Sequence, residues 1–456
     1  MYDHHKPTYH FAAPAGWMND PNGPLWFEGY YHLFYQYNPT GDSWENIHWG
    51  HARSRDLLRW EHLPPALAPS PELGELHCFS GCAVVDRDTP VILYTSVGEG
   101  ERNARSGAEQ RLARSLDGMR TWRKYPAPIL TNAIHDTPVT DWRDPFVWRE
   151  NGQWNLLLGG GRNGGGCITL YHSSNLIDWR YCGVFFENPA YHFLECPNLL
   201  RFGDKSVLIY SPDEEVRYHI GFINSTGQFE NEKTGVLDYS GKRGFYAPNT
   251  LLNDPAGRYI TWGWITEKSR KGYPIQGYNG ALSLPRILAL NASGDITQTP
   301  AQEIDGLFAE LTEEAEFSLV GGERQFKTRG RELEITLNFN PAENDDFSFN
   351  VYQSPDNREC TRIHYNGERR ELSLEKAAST LAVEPAKDAQ RGKLSGDCRS
   401  LRVFLDHSII EIFAGDQAAI SGRVYPVLEA SQGLSISGRI RGARVRIIST
   451  GNSIVE

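Results

Sequence analysis

The segment LWFEGYYHLFYQ, residues 25–36, decides the fold: it places two apolar, aromatic-rich runs on either side of Glu28 and Gly29. Aromatic residues favour strands, and a polar or glycine turn between two such runs is typical of a β-hairpin. Comparable segments recur along the chain, at 83–96, 146–160, 199–211 and 251–264. The sequence therefore predicts a repeated hairpin unit.

A second repeat has the same rhythm: a serine, a few residues that include Asp or Asn, and then a tryptophan at Trp60, Trp122 or Trp179. Five units between Trp17 and Arg286 have roughly 54 residues each, which suits a four-stranded blade with functional loops. We predict an all-β fold, with a five-bladed β-propeller over residues 1–290.

The composition changes after Arg286, where a linker is followed by alternating patterns such as RELEITLNF and SLRVFLDHSIIEIFAG. Period-two alternation favours half-buried antiparallel strands, so we predict a β-sandwich over 305–456. Asp406, His407 and Ser408 resemble a catalytic triad in order only. Neighbouring strand residues point to opposite faces, which argues against that function.

Composition excludes several function classes. A length of 456 residues predicts two domains, and a net charge of −11 argues against nucleic-acid binding. No run is long enough for a transmembrane helix, and no secretory signal is visible, so we expect a cytoplasmic protein unless a signal was removed. The seven cysteines are expected to be free thiols.

Metal binding is not expected. Cys78 and Cys82 have no second Cys or His pair at zinc-site spacing. The histidines near the N-terminus and in the first unit are predicted to be surface or packed residues; they are His4, His5, His10, His48 and His51.

Acidic residues mark the start of the hairpin units: Asp20 the first, Asp144 the third and Glu195 the fourth. Phe79 and Ser80 stand at the second unit, and Tyr246 at the fifth. Since equivalent positions of a propeller converge at one channel mouth, we predict that the three carboxylates share one topological position and one pocket. Turn chemistry is the alternative explanation for each acid alone.

Three acids without a metal cage suggest acid/base chemistry on a neutral substrate. Glycoside hydrolysis needs one ionised and one protonated carboxyl group, and a third carboxylate near Arg143 can bind sugar hydroxyls. Apolar faces and directional hydrogen bonds for a sugar would come from Trp17, Trp44, Phe79, Asn19, Gln36 and Ser80.

The motifs WMNDPNG (17–23), RDP (143–145) and ECP (195–197) resemble the three signatures of glycoside hydrolase family 32, the invertase, levanase and inulinase family. Further matches, including FYQYNP, HWGHARSRDLLRW, FSG, FYAPN, GALSLPR and VFLDHSIIEIF, extend the resemblance over nearly the whole chain. The resemblance implies a retaining β-fructofuranosidase that needs no cofactor and acts on small or polymeric fructosides.

By the same resemblance, Asp20 would be the nucleophile, Glu195 the acid/base and Asp144 the transition-state stabiliser. The fructose subsite would be lined by Trp17, Asn19, Gln36, Trp44, Phe79, Ser80 and Arg143. Two departures touch the acceptor side. Gly244 stands where the family has an acidic residue, for which Asp238 is a displaced candidate, and 70–81 lacks a tryptophan of plant cell-wall invertases.

Four alternatives remain open at this point: a related five-bladed family that acts on arabinans with inversion, a fructosyltransferase, an enzyme that processes difructose anhydrides, and a non-catalytic fructan-binding propeller. The carboxyl separation distinguishes the first, and release of reducing sugar distinguishes the last. The sequence does not determine the preferred fructoside or the oligomeric state.

Overall fold

The computed structural model describes residues 4–105, 107–242, 244–266, 277–382 and 389–450. In these ranges nearly all regular structure is β-strand, as predicted from the aromatic-rich hairpins. The helices are short 3₁₀ turns at Pro71–Leu73, Gly100–Arg102, Asn132–Ile134 and Gln302–Leu307. None of the helices in the described ranges has the length and apolarity needed to cross a membrane.

Five antiparallel sheets form the blades of the predicted propeller. Blade 1 contains β1 Gly16–Phe27, β2 Tyr30–Asn38, β3 His48–Ser54 and β4 Glu61–Leu67. Blade 2 contains β5 His77–Asp86, β6 Thr89–Val97, β7 Glu109–Arg114 and the short β8 Arg123–Lys124 and β9 Leu130–Thr131. Blade 3 contains β10 Thr140–Glu150, β11 Gln153–Arg162, β12 Gly165–Ser173 and β13 Trp179–Asn188.

Blade 4 contains β14 Glu195–Phe202, β15 Lys205–Ser211, β16 Arg217–Ile223 and β17 Phe229–Val236. Blade 5 contains β18 Phe245–Leu251, β19 Tyr259–Ile265, β21 Ala281–Leu282, β22 Arg286–Leu290 and β23 Ile296–Pro300. The ring closes between the last and first blades, because β20 Tyr278–Asn279 pairs in parallel with β1. In addition, the Trp26 N–H donates to Asn253 Oδ1 at 2.9 Å.

Apolar clusters fill the spaces between neighbouring blades. Met18 and Leu33 of blade 1, for example, pack with Leu251 and Trp262 of blade 5, and all four are buried. Corresponding clusters join the other four pairs of neighbours. The inner strands are therefore covered on both faces, which explains why their sequences are almost continuously apolar.

The serine repeat marks the turn between the third and fourth strands of a blade. The Ser173 hydroxyl accepts the N–H groups of Asn175 and Leu176, and Ser54 and Ser115 occupy the matching turns. The tryptophan that ends the motif then packs against the blade, where Trp179 Nε1 donates to the Leu176 carbonyl at 3.0 Å.

The C-terminal strands form the predicted β-sandwich. These strands are β24 Phe308–Gln325, β25 Glu332–Asn338, β26 Asp346–Gln353, β27 Cys360–Asn366, β28 Glu371–Ala378, β29 Gln390–Lys393, β30 Ser400–Asp406, β31 Ile409–Ala414, β32 Ala418–Arg423 and β33 Gly433–Thr450. The first part of β33 pairs with β26 and the last part with β25, so this strand belongs to both leaves of the sandwich. A single apolar core lies between the leaves.

A buried ion network joins the two domains. Arg286 of blade 5 binds Asp238 through Nη1 at 2.8 Å and Glu411 of β31 through Nε at 3.2 Å. His10 bridges Glu411 and Asp406, with ring nitrogens 2.9 Å from each carboxylate. His10 is thus a packed histidine, as expected.

Two further hypotheses from the sequence concern residues at this interface. The idea that Asp238 replaces the acidic residue of the acceptor side is wrong, because Asp238 is fully buried against Arg286 and Ser421. The rejection of a triad at 406–408 is supported. Asp406 accepts backbone N–H groups of residues 8–10, and Ser408 donates to the His5 carbonyl.

Candidate active site

Every innermost strand has a β-bulge at its mouth end. At each bulge, the innermost strand has two unpaired residues where the neighbouring strand has one. The paired residues on either side of each bulge are Met18 and Pro21, Cys78 and Gly81, Arg143 and Phe146, Glu195 and Asn198, and Tyr246 and Asn249. A bulge bends the strand and re-aims its side chains. Five bulges at one height thus surround the channel mouth.

The three carboxylates occupy different positions of this bulge, so the prediction that they share one topological position is wrong. Glu195 is the last paired residue before its bulge, Asp144 the first unpaired residue and Asp20 the second. Consecutive residues alternate in direction on a regular strand, and the bulge removes that restriction. Acids at three successive positions can therefore reach one cavity.

The backbone of the bulge explains the Asp-Pro and Cys-Pro steps. Asp144 has φ 64° and Cys196 has φ 50°, which is the left-handed region. Pro145 and Pro197 follow them at the unpaired position, where the missing N–H of proline is not needed by a neighbouring strand.

A cavity of about 440 Å³ opens at this mouth. Its lining includes all ten residues that the sequence proposed for the site, Trp17, Asn19, Asp20, Gln36, Trp44, Phe79, Ser80, Arg143, Asp144 and Glu195. Four further residues line it, Ala104, Asp141, Tyr246 and Trp264. The position of Tyr246 at a hairpin start was a usable signal, and Trp264 is its partner on the next strand. Nothing in the sequence pointed to Ala104 or Asp141.

Asp20 is held by hydroxyl and amide donors. The Ser80 hydroxyl donates to Asp20 Oδ2 at 2.6 Å, and Asn19 Nδ2 donates to Asp20 Oδ1 at 3.0 Å. Gln36 Nε2 donates in turn to the Ser80 hydroxyl at 2.5 Å, and Trp17 Nε1 donates to Asn19 Oδ1 at 2.7 Å. This chain of bonds orients the carboxylate into the cavity.

Glu195 is held from two sides. Arg143 donates to Glu195 Oε2 through Nη2 at 2.6 Å and through Nε at 3.2 Å. The Tyr246 hydroxyl donates to Glu195 Oε1 and accepts the N–H of Asp213. Both carboxyl oxygens of Glu195 therefore accept hydrogen bonds from neighbouring side chains.

Asp144 is the least exposed of the three acids, with an exposed fraction of 5%. Its Oδ2 accepts the Cys196 N–H at 3.0 Å and lies 3.7 Å from Arg143 Nε. The Cys196 thiol lies 3.5 Å from the same oxygen and 3.9 Å from Asp20 Oδ2. Asp20 and Asp144 therefore face the same small volume across this thiol.

Burial and mutual repulsion keep a proton available at this mouth. Burial raises the pKa of Asp20 to about 6, while the hydrogen bond from Ser80 opposes the rise and the charge of Glu195 adds to it. Burial also raises the pKa of Asp144 to about 7, against the attraction of Arg143. Carboxyl groups with such pKa values can exchange protons near neutral pH.

Aromatic side chains form the walls. Trp17 meets Trp264 edge-on with ring centroids 5.9 Å apart, and Trp44 meets Phe79 edge-on at 5.7 Å. Trp44 is 46% exposed, so its ring remains open to a ligand at the rim. Gly244, by contrast, has no room for an acidic side chain, because an added Cβ would lie 2.4 Å from the Ser240 carbonyl oxygen.

Comparison with known protein families identifies the family of this chain. The model described as "Glycosyl hydrolases family 32 N-terminal domain" matches residues 10–300, and the C-terminal model of the same family matches 299–447. The chain belongs to glycosyl hydrolase family 32. It is a glycoside hydrolase of the β-fructofuranosidase type, with the five-bladed propeller and β-sandwich of that family.

Relatives in family 32 cover most of the chain. A sucrose-6-phosphate hydrolase of Zymomonas mobilis is 31% identical over 94% of this chain and 88% of its own length. A levanase of Bacillus subtilis is 30% identical over 98% of this chain and 70% of its own length. A β-fructofuranosidase structure from Bombyx mori superposes with a TM-score of 0.82 at 27% identity, covering 99% of this chain and 95% of the other.

Proposed function

We propose that this family 32 enzyme hydrolyses the β-fructofuranosidic bonds of sucrose and fructans with retention, by double displacement through a fructosyl-enzyme. One observation supports the proposal above all: three carboxylates from three blades face one cavity, each held by different donors. Glycoside hydrolysis requires that paired carboxyl groups have different environments. Names of relatives such as sucrose-6-phosphate hydrolase and levanase add support.

The environments suggest the roles. Asp20 accepts bonds from Ser80 and Asn19, which stabilise and aim a carboxylate, so it suits attack on C2 of the fructosyl unit. Glu195 lies on the cavity wall between Arg143 and Tyr246, where it can reach the leaving oxygen. Asp144, the least exposed of the three acids, suits hydrogen bonding to fructose hydroxyls. Trp17, Asn19, Gln36, Trp44, Phe79, Ser80 and Arg143 complete the fructose subsite.

Double displacement requires a defined distribution of protons among the three acids. Attack needs an ionised Asp20, and departure of the leaving group needs a proton on Glu195. Fructose hydroxyls that donate to Asp144 favour its ionised form, since a carboxylate gains from such bonds. We propose that the proton released in this way is carried by Glu195 in the complex.

The alternative activities are less well supported. A non-catalytic propeller would not need Asp20, Asp144 and Glu195 together with the donors that orient them.

Within the described ranges, no three His, Cys, Asp or Glu side chains are grouped to hold a metal ion. The expectation that catalysis is independent of metals stays a prediction.

Three broader expectations also remain proposals. We propose two domains at about the predicted ranges of 1–290 and 305–456, although the first extends to Pro300, because β23 pairs with β22 in blade 5. We also propose a cytoplasmic location, which the seven free cysteines support, because free thiols persist in reducing compartments. With its net charge of −11, the chain is not expected to bind nucleic acid.

Azide rescue tests the roles of the two main carboxylates. In Glu195→Ala, an activated aryl fructoside should still form the fructosyl-enzyme on Asp20, which then lacks a base to activate water. Azide needs no deprotonation and should restore turnover, giving a fructosyl azide of retained configuration. In Asp20→Ala, azide can only replace the nucleophile and should give the inverted product.

NMR determines the anomeric configuration of the fructosyl azide products. Rescue of Glu195→Ala with inversion, or of Asp20→Ala with retention, would exchange the two roles. A wild-type enzyme that releases no reducing sugar from sucrose, inulin or levan would contradict the proposed hydrolysis altogether.

A further inference from the structure

Asp141 lies at the rim of the cavity, and we propose that it makes the leaving-group side select an uncharged leaving group over a phosphorylated one. The inference rests on the proposed function, because it concerns the part of the substrate that Glu195 would protonate. It goes beyond that function in naming which sucrose derivative the enzyme prefers and which residue sets the preference.

The contacts place Asp141 beside the guanidinium that also binds Glu195. Arg143 Nη1 donates to the Asp141 carbonyl at 3.0 Å and to its Oδ1 at 3.3 Å, while the Nη2 of the same guanidinium donates to Glu195. The acid/base of a glycosidase stands beside the leaving oxygen. Asp141 therefore belongs to the same side as Glu195.

The described lining contains more acidic than basic side chains, and its net charge stays negative when one of the carboxyl groups holds a proton. It contains four carboxylates, those of Asp20, Asp141, Asp144 and Glu195, and in the described part of the chain the guanidinium of Arg143 is the only Lys or Arg side chain among the lining residues. Nε, Nη1 and Nη2 of Arg143 already donate to Glu195 and Asp141. A phosphate would need charged donors directed at it, and this guanidinium is engaged.

The neighbouring rim is acidic as well. Asp213, whose N–H donates to the Tyr246 hydroxyl, forms an ion pair with Lys242 at 3.3 Å, and Glu214 pairs with the same lysine at 3.4 Å. A phosphate dianion on the leaving group would meet repulsion from Asp141, and Lys242 at this part of the rim already pairs with two acids.

One relative is named for a phosphorylated substrate. The Zymomonas mobilis protein that is 31% identical is named for a phosphorylated sucrose. At such identity two chains can share the fructose side of a site and differ on the leaving-group side. The lining of this cavity favours sucrose itself and neutral fructans.

Asp141 can be neutralised with little disturbance. Its φ is 52°, a left-handed value that asparagine and glycine adopt more readily than other residues. Asp141→Asn removes the charge and keeps an acceptor for Arg143, and Asp141→Gly provides a second uncharged variant. Asp178→Asn is the matched control, because Asp178 lies in the β12–β13 turn at the opposite end of blade 3.

The experiment compares kcat/KM for sucrose and for sucrose 6-phosphate. We expect the wild-type enzyme to prefer sucrose by about tenfold or more at low salt, and the preference to shrink as salt screens the charges. Both Asp141 variants should raise the ratio of sucrose 6-phosphate to sucrose activity by about fivefold, and Asp178→Asn should leave it unchanged.

Three results would overturn the inference: a wild-type preference for sucrose 6-phosphate, a ratio that does not respond to Asp141→Asn or Asp141→Gly, or a preference independent of salt. In each of these cases sucrose or its phosphate is still hydrolysed, so the proposed function stands. Failure to hydrolyse either compound, inulin or levan would instead refute the proposed function, and the inference with it.

Discussion

Ser80 tunes the charge state of Asp20, and this gives a pH prediction at the scale of a single residue. Burial raises the pKa of Asp20 to about 6, and the Ser80 hydroxyl favours the charged form. Because attack requires ionised Asp20, kcat/KM should decline as the pH falls below about 6. Ser80→Ala removes a donor to the carboxylate, so the pKa should rise and the acid limb should move to higher pH.

The control for Ser80 is Ser206→Ala, since the Ser206 hydroxyl accepts from Arg201 in the β14–β15 hairpin of blade 4. The measurement is kcat/KM for sucrose against pH for all three proteins. An acid limb that stays in place or moves to lower pH in Ser80→Ala would show that this hydroxyl does not stabilise the ionised nucleophile.

Tyr246 positions Glu195 and was not predicted as a site residue. Its hydroxyl donates to Glu195 Oε1 and accepts from Asp213. Tyr246→Phe should lower kcat for sucrose by about tenfold, because a hydrogen bond to a charged group is lost. An aryl fructoside, whose leaving group needs little protonation, should suffer less.

Tyr259→Phe serves as the control for Tyr246→Phe, because the Tyr259 hydroxyl donates to the Arg201 carbonyl away from the cavity. Equal losses of kcat on sucrose and on the aryl fructoside would indicate that Tyr246 acts through packing and not through its hydrogen bond to Glu195. The comparison needs only initial rates with the two substrates.

At the scale of the element, the bulges depend on close approach of two strands. Gly81 follows the bulge of β5, and an added Cβ would lie 2.1 Å from the Leu93 carbonyl oxygen. Gly81→Ala should therefore destabilise the protein by about 1–3 kcal/mol and displace Ser80 from Asp20. The thermal unfolding temperature and kcat for sucrose should both fall.

Gly396→Ala is the matched control for the β5 bulge, since the nearest atom to an added Cβ there is Gln417 Oε1 at 3.7 Å. It should leave both stability and activity near the wild-type values. If Gly81→Ala unfolds at the same temperature as the wild-type protein, the bulge must be able to shift. That result would contradict the tight contact between Gly81 and β6.

At the scale of the whole molecule, Arg286 joins the propeller to the sandwich. Its guanidinium binds Asp238 and Glu411, and all three side chains are fully buried. Arg286→Ala would leave two buried carboxylates without their shared cation, which should lower the free energy of unfolding by about 3–5 kcal/mol. Thermal unfolding measures this loss.

The control for Arg286 is Arg444→Ala, whose exposed side chain pairs with Glu314 on the sandwich surface. We expect no measurable change there, because exposed ion pairs contribute little to stability. A small effect of Arg286→Ala would indicate that the domains adhere mainly through apolar contacts such as the buried cluster that contains Leu284, Phe404 and Phe413.

The sequence by itself determined the strands, the five units, the sandwich and ten residues of the cavity. These features are local: hairpins such as 25–36 follow from apolar runs around a turn, and the Asp-Pro and Glu-Cys-Pro motifs carry the acids directly. The repeat then implied that the hairpin starts would meet at one mouth.

Only the tertiary structure decided how the acids are arranged. The bulges depend on pairing with the next strand, so sequence spacing could not show that Asp20, Asp144 and Glu195 occupy three successive positions. The Arg143–Glu195 bond joins residues 52 apart, and Asp238 lies at a domain interface. Such contacts arise from the packing of distant segments, which leaves no periodic trace in the chain.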